Sequence, residues 1–95
     1  MAAYAVFIRE CTRDDAELAA YTPKAAASMD GQPMTVLAAY GRQEVLEGPP
    51  VEGVVIVEFP SIEAAKAWYD SPAYREAREH RFRGADYRAV IVEGM

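Results

Sequence analysis

Residues 54–59 read Val54-Val55-Ile56-Val57-Glu58-Phe59, the strongest strand pattern in the chain. Valine, isoleucine and phenylalanine favour extended backbone, so the stretch predicts a β-strand. Pro60 ends that strand because proline has no N–H to give to a sheet ladder. Ser61 then predicts the N-cap of a helix, since its hydroxyl can accept from the free N–H groups of a first turn. The chain is therefore expected to pass from sheet to helix at residues 60 and 61.

Two helical segments and a last strand are predicted after this point. The first helix covers Ile62 to Tyr69. The sequence Asp70-Ser71-Pro72 then starts a second helical segment, with Ser71 as N-cap and Pro72 at the first helical position. This segment continues to Arg83, and Gly84 acts as its C-terminal stop. Tyr87 to Val92 predicts the last strand.

The first half of the chain predicts a strand, a helix and a second strand. Tyr4 to Ile8 is a strand candidate, and Asp14 is a candidate N-cap with Glu17 completing a capping-box pattern. The helix that follows has an apolar stripe at spacings of three and four residues: Leu18, Tyr21, Ala25 and Met29.

Three features of this half carry further expectations. Pro23 predicts a kink or a restart of the helix. Thr35 to Tyr40 predicts the second strand, and Gly41 to Glu47 either continues it or forms a small hairpin arm. Gly48-Pro49-Pro50 predicts a turn.

The predicted order is strand, helix, strand, strand, helix, strand. With right-handed crossovers, it builds a ferredoxin-like βαββαβ sandwich of the α+β class: a four-stranded antiparallel sheet with helices on one face. A length of 95 residues suits one domain. We therefore expect a single domain over residues 1–95.

Three predicted strands are apolar on both faces, whereas an antiparallel strand with one wet face alternates. These stretches are Ala5–Ile8, Val54–Val57 and Ala89–Val92. The two helices can cover one face, and leaving the other in water would forfeit roughly 25 cal/mol per Å². We expect a second copy to cover it, which predicts a homodimer through the sheet face. The alternative is a monomer that tolerates these aliphatic side chains on its surface.

Composition excludes several classes. The net charge of −5 disfavours nucleic-acid binding, and aliphatic residues stand where an RNA-recognition sheet needs stacking rings. No apolar run approaches the ~20 residues of a membrane-spanning helix, and no signal peptide is visible. One cysteine and one histidine exclude disulfide and Cys/His zinc frameworks. We expect a soluble, cytoplasmic protein with no metal, no cofactor, and no nucleic-acid or membrane partner.

Several short motifs follow one another along the chain: Phe59-Pro60-Ser61, Glu63-Ala64-Ala65, Ala67-Trp68-Tyr69, Ser71-Pro72, Tyr74, Arg81 and Val92-Glu93-Gly94. Together with Asp14, Tyr21 and Glu47-Gly48, they have the order and spacing of the DUF1330 family, which the chain resembles over nearly its whole length. The resemblance implies a dimeric α+β barrel that pairs its sheets face to face. That superfamily includes cofactor-free monooxygenases, isomerases, cyclases, haem enzymes and proteins of no known activity.

The chain departs from the family pattern around its second strand. Relatives usually carry Gly-Gly before this strand and Arg-Gly-Gly at its end, where this chain has Pro33-Met34 and Ala39-Tyr40-Gly41. Tyr40 is thus expected to narrow or reshape a pocket. The missing arginine removes one candidate for binding an anionic group.

Three residues are candidates for catalysis, and each has a structural alternative. Glu58 lies in an apolar strand, where burial would raise the pKa of a general base, or it emerges into solvent at the strand end. His80 could transfer a proton, or it belongs to a solvated charged face. Arg81 could clamp an anion, or it forms a salt bridge to Glu58 or Asp86.

Tyrosines are the candidate substrate-binding residues, since a phenol can orient a carbonyl or stabilise an enolate. They are Tyr21, Tyr40, Tyr69 and Tyr74. The structural alternative is a core ring with its hydroxyl at the rim, and Trp68 is expected to be core.

These residues predict a small-molecule-binding protein. Its candidate activity is cofactor-free proton-transfer chemistry of the isomerase, cyclase or lyase kind, in a cavity between sheet and helices. The alternative is a non-catalytic dimeric ligand-binding or accessory protein. A haem protein is a third hypothesis, in which only His80 or a tyrosine could serve as the axial ligand.

Overall fold

Four strands and three helices make up the fold in a computed structural model that describes residues 1–95. The strands are β1 (Ala3–Thr12), β2 (Thr35–Ala39), β3 (Gly53–Phe59) and β4 (Ala85–Glu93). The helices are α1 (Asp15–Ser28), α2 (Ile62–Tyr69) and α3 (Pro72–Gly84).

The sheet is antiparallel throughout, with strand order β2-β3-β1-β4. This order places β1 and β3 in the centre and β2 and β4 at the edges. The predicted ferredoxin-like βαββαβ architecture, with all helices on one face, is confirmed. The strands Ala5–Ile8, Val54–Val57 and Ala89–Val92 all lie within this sheet, as predicted.

The helices begin at the serine and aspartate caps that the sequence predicts. The Asp14 carboxylate accepts from the N–H groups of Ala16 and Glu17 at the start of α1. The Ser61 hydroxyl accepts from Ala64 N–H at the start of α2, and the Ser71 hydroxyl accepts from Tyr74 N–H at the start of α3. These bonds satisfy backbone donors that a helix start otherwise leaves free.

The core lies between the helices and one face of the sheet. Alternate residues of β1 and β3, among them Phe7, Val57 and Phe59, point towards the helices and are buried. They pack against Trp68 of α2 and Tyr74 of α3. Trp68 is 4% exposed, so its predicted place in the core is confirmed.

The other face of the sheet has no cover within the chain. Its β1 and β3 residues, including Val6 and Ile56, are partly exposed, and Val90 and Val92 of β4 are 57% and 53% exposed. Apolar side chains therefore line both faces of the sheet, and only one face is buried by helices.

Four local predictions need correction. The first strand does not stop at Ile8 but continues to Thr12, because residues 9 to 12 pair with the start of β4 across an irregularity. Pro23 does not restart the helix, since α1 packs along α3 and runs unbroken through it. Residues 41 to 47 form neither a strand nor a hairpin arm. The Glu17 side chain does not close a capping box, because it binds α3 instead.

Candidate functional site

A cavity of about 360 Å³ lies between α1 and the sheet. Fourteen of its sixteen lining residues are hydrophobic, with the tyrosines counted among them, which suits an apolar ligand. No carboxylate or imidazole lines this cavity. The polar side chains in the lining are Arg9, Thr22 and three tyrosines: Tyr21, Tyr40 and Tyr87.

Helix α1 forms the roof of the cavity through its apolar stripe. Leu18, Tyr21, Ala25 and Met29 all contribute to the lining. Spacings of three and four residues bring these side chains to one face of the helix, as the sequence predicts. The same periodicity that identified the helix therefore identified one wall of the cavity.

Tyr21 is joined to Tyr74 by a hydrogen bond of 2.8 Å between their hydroxyl oxygens. Tyr74 is fully buried, whereas Tyr21 lines the cavity. Burial raises the pKa of both phenols, and the Arg81 charge opposes that rise. Both phenols are therefore neutral near pH 7 and can donate as well as accept a hydrogen bond.

Tyr40 covers one end of the cavity from the edge strand β2. Its hydroxyl oxygen lies 2.6 Å from that of Tyr87 on the opposite edge strand, and the Arg9 guanidinium lies 4.9 Å from its ring centre. The ring lies over Gly53, where a Cβ atom would overlap it. Burial and the bond to Tyr87 raise the pKa of Tyr40, so it too is neutral.

The backbone of Tyr40 adopts a left-handed conformation, with φ of +56°. Such values favour glycine and are uncommon for bulky residues. Tyr40 stands where the DUF1330 pattern is expected to have glycine, and a positive φ is a physical reason for glycine at such a position. The expectation that Tyr40 reshapes a pocket agrees with its position over the cavity.

Arg81 is 3% exposed and has no carboxylate partner. The predicted salt bridge to Glu58 or Asp86 is wrong. Asp86 pairs instead with Arg13, at 3.1 Å between Nε and Oδ1. Glu58 lies on the uncovered face of the sheet, beside Tyr4 and Thr35 of the neighbouring strands. Because side chains alternate along a strand, it points away from the helices.

His80 lies at the contact of α1 and α3, outside the cavity. Its Nδ1 is 2.7 Å from Oε2 of Glu17, and Arg83 Nε is 3.3 Å from the same oxygen. These contacts, and above all the hydrogen bond from His80, lower the pKa of Glu17. The structure thus places Glu58, His80 and Arg81 in three separate locations.

The four predicted tyrosines divide into two pairs. Tyr21 and Tyr40 line the cavity. Tyr74 is buried behind Tyr21, and Tyr69 lines two other depressions, one with Trp68 and one with Arg81. The Tyr69 ring also lies beneath the Arg78 guanidinium at 4.4 Å.

Sequence reasoning missed Arg9 and Tyr87, which both line the cavity. They are directly paired across β1 and β4. The predicted first strand ended at Ile8, so Arg9 was not counted among the alternate side chains, such as Ala5 and Phe7, that face the helices. Extending that alternation by two residues would have identified it.

No three side chains of His, Cys, Asp or Glu lie close enough together to hold a metal ion. None of the three helices is long and apolar enough to cross a membrane.

The family model described as a domain of unknown function, DUF1330, matches residues 2–95. The chain belongs to the DUF1330 family. The predicted resemblance is thereby confirmed, and it extends over nearly the whole chain. The family description assigns no activity, so the DUF1330 match identifies ancestry and fold but no substrate.

Solved structures similar to this DUF1330 chain share its fold at low identity. A protein of unknown function from Rhodopseudomonas palustris is 20% identical with a TM-score of 0.78, over 99% of this chain and 82% of that one. A dimeric ferredoxin-like protein of unknown function from a Jannaschia species is 12% identical with a TM-score of 0.71, over 99% and 100% of the two chains.

A third similar structure has a stated activity. SnoaB, a cofactor-independent oxygenase from Streptomyces nogalater, is 11% identical with a TM-score of 0.62, over 99% of the DUF1330 chain and 93% of SnoaB. Identities this low establish the ferredoxin-like fold alone. No curated protein matches the chain.

Proposed function

We propose that this DUF1330 chain binds a small organic molecule, mostly apolar and carrying one oxygen function, in the cavity between α1 and the sheet. The observation that carries the proposal is the lining itself: a volume of about 360 Å³ surrounded mainly by hydrophobic side chains. Ligand sites of this kind combine an apolar wall with a few polar groups that fix orientation. Here the polar groups are three neutral phenols, the Thr22 hydroxyl and the Arg9 guanidinium, which is paired with Glu52 at 3.2 Å.

The phenols suit a carbonyl or hydroxyl oxygen. In the Tyr21–Tyr74 pair, either hydroxyl can be the donor. Tyr21 can therefore offer a proton to a carbonyl while it accepts one from Tyr74, or offer a lone pair to a hydroxyl. A ligand with several charges would lose hydration in this apolar cavity, where the single cationic side chain, Arg9, is already paired with Glu52.

The single tryptophan provides a test of binding, since Trp68 lines the cavity. Small ketones and lactones titrated into the protein should change its fluorescence in a saturable way. Ala25→Leu adds atoms to the cavity wall and should weaken that binding by about tenfold. Ala27→Leu is the control, since Ala27 is exposed on the same helix and lies outside the lining. Equal affinity in both variants, or no saturable change with any compound, would reject the proposal.

Cofactor-free proton transfer, of the isomerase, cyclase or lyase kind, is the second candidate function. The Tyr21–Tyr74 pair favours it, because the Arg81 charge acts on both phenols and such a group can stabilise an enolate. SnoaB is a cofactor-independent oxygenase on the same fold. Tyr21→Phe should then lower turnover of a bound carbonyl compound more than its affinity. A loss in affinity alone would favour the non-catalytic ligand-binding protein.

The proposed assembly is a homodimer through the uncovered sheet face. Val90 and Val92 are more than half exposed there, next to the partly exposed Val6 and Ile56. Burying such a patch against its own copy is favourable and closes a two-fold interface. Similar structures are described as dimeric.

Sedimentation of two lysine variants tests that assembly. Val90→Lys adds a charge to the sheet face and should convert the dimer to a monomer. Leu46→Lys is the control, since Leu46 is 92% exposed in a loop and its replacement should leave the mass unchanged. A wild-type chain that sediments as a monomer at micromolar concentration would refute the sheet-face dimer.

A further inference from the structure

The depression that Tyr69 and Arg81 share has a volume of about 400 Å³ and lies where α3 meets β4. It is separate from the α1 cavity, and the two share only Tyr87. Its lining combines three aromatic side chains with two arginines and one carboxylate: Tyr69, Phe82, Tyr87, Arg13, Arg81 and Asp86.

The Arg81 guanidinium is the unusual group in this depression. The residue is 3% exposed, and its Nε is buried without a hydrogen-bond partner. Its one hydrogen bond runs from Nη2 to the Tyr69 hydroxyl and is long, at 3.4 Å. Buried arginines are normally paired with a carboxylate, because an isolated buried charge is strongly unfavourable. Arg81 has no such partner within the chain.

Aromatic rings compensate this charge only in part. The centres of the Phe7, Phe82 and Tyr87 rings lie between 5.0 and 5.4 Å from Cζ of Arg81. Ring faces attract a cation, but they cannot replace an oxygen acceptor for its N–H groups. The guanidinium therefore lies among rings with its Nε–H unpaired and a single long hydrogen bond from Nη2, and a carboxylate is the group that pairs best with such a fork of donors.

The charges around the depression select a monoanion. Arg13 and Asp86 neutralise each other in a contact of 3.1 Å. Arg81 then leaves one positive charge, and the nearby Asp86 carboxylate disfavours a dianion such as phosphate. The aromatic side chains favour an apolar or aromatic body on the anion.

We propose that the depression between α3 and β4 is a binding site for a small organic monocarboxylate, whose carboxylate pairs with Arg81 and whose apolar body lies against Tyr69, Phe82 and Tyr87. This site is additional to the α1 cavity. It would supply the counter-charge that the chain itself does not give to Arg81.

Benzoate is the probe, measured by the rise in melting temperature at constant ionic strength with chloride as reference. A ligand that binds only the folded state stabilises it in proportion to the logarithm of its concentration. The rise should occur in the wild type, be lost in Arg81→Met, and require about tenfold more benzoate in Arg81→Lys. Arg75→Met is the matched control, because Arg75 is exposed on the same helix and has no ion pair.

Backbone amide shifts of the wild type under benzoate provide a measurement that does not depend on folding of the Arg81 variants. Shifts should concentrate at Tyr69, Phe82 and Tyr87. Shifts confined to the α1 cavity, the same response in Arg81→Met as in Arg75→Met, or a response to phosphate with none to benzoate would overturn the proposal.

The variant Ala25→Leu tests the two proposals separately. Ala25→Leu blocks the α1 cavity and should leave benzoate binding unchanged. If Ala25→Leu abolishes benzoate binding, the carboxylate site is refuted while the cavity proposal stands. If ketones do not bind but benzoate acts through Arg81, the cavity proposal fails alone.

Discussion

The hydroxyl oxygen of Tyr40 lies 2.6 Å from that of Tyr87, although their strands β2 and β4 are at opposite edges of the sheet. Two strands lie between them, a span of about 14 Å at the usual strand spacing. The two side chains cross this distance by extending towards each other over Gly53 and Arg9. The hydrogen-bonded pair Tyr40–Tyr87, the tyrosine strap, lies over one end of the α1 cavity.

A double-mutant cycle measures the energy of the tyrosine strap. Tyr40→Phe and Tyr87→Phe each remove one hydroxyl and should lower the free energy of unfolding by about 1 kcal/mol. The double variant should lose little more than either single variant, because both changes remove one shared bond. Denaturant unfolding provides the measurement. Additive losses would show that the two hydroxyls do not stabilise each other.

The second prediction concerns the hydroxyl beneath Trp68. Ser28 is 3% exposed, and its Oγ accepts from Trp68 Nε1 at 3.2 Å. Ser28→Ala leaves the indole N–H buried without a partner and should cost about 1–3 kcal/mol of unfolding free energy. Thr22→Ala on the same helix removes an exposed hydroxyl and should cost much less. Equal costs would mean that the indole finds another acceptor.

The third prediction is a loss of stability at acid pH that depends on Glu17. The hydrogen bond from His80, followed by the Arg83 contact, lowers the pKa of Glu17 from its ordinary value of 4.5. A lowered folded-state pKa stabilises the protein above pH 4.5, and this stabilisation is lost as pH falls through the folded value. Glu17→Gln should therefore flatten the decline of stability below pH 4.5.

Unfolding curves recorded at intervals of ~1 pH unit between pH 3 and pH 7 would measure this flattening. Glu63→Gln is the control, because Glu63 is exposed on α2 and has no ion pair. The lowered pKa values of Glu52 and Glu76 act in the same direction and should remain in the variant. An unchanged slope in Glu17→Gln would contradict the prediction.

The fourth prediction follows from the proline inside α1. Pro23 has no N–H for the carbonyl four residues earlier, and it is exposed. Pro23→Ala restores this donor and should raise the free energy of unfolding by up to about 3 kcal/mol. Thermal unfolding would measure the gain. Pro33→Ala, in the loop before β2, should give no such gain, and a destabilised Pro23→Ala would reveal a structural need for the proline.

The sequence predicted the architecture well because hydrophobic periodicity and helix caps are local signals. Asp14, Ser61 and Ser71 cap the helices where they were expected, and the α1 stripe lines the cavity. These features depend on spacing within one element, so a single sequence reveals them.

The candidate site was harder to predict because it depends on pairing between distant elements. Arg9 joins the cavity lining only through the extension of β1 along β4. Whether Arg81 can pair with Glu58 depends on the sheet face on which Glu58 lies. Strand register decides that face, and proximity in sequence does not. The Tyr40–Tyr87 hydrogen bond joins side chains from opposite edges of the sheet, and no periodic pattern in the sequence indicates it.

The segment between Tyr40 and Gly53 is fastened at both ends. Tyr40 N–H donates to the Val54 carbonyl, and Glu52 N–H donates to the Arg9 carbonyl, while the Glu52 carboxylate accepts from Thr12 N–H. Between these anchors the chain is exposed around Leu46. Lengthening such a loop costs only about 0.6 kcal/mol for each doubling. A fluorophore or an immobilisation peptide inserted there would label or attach the protein without obstructing the α1 cavity or the depression between α3 and β4, because neither is lined by residues 41–52.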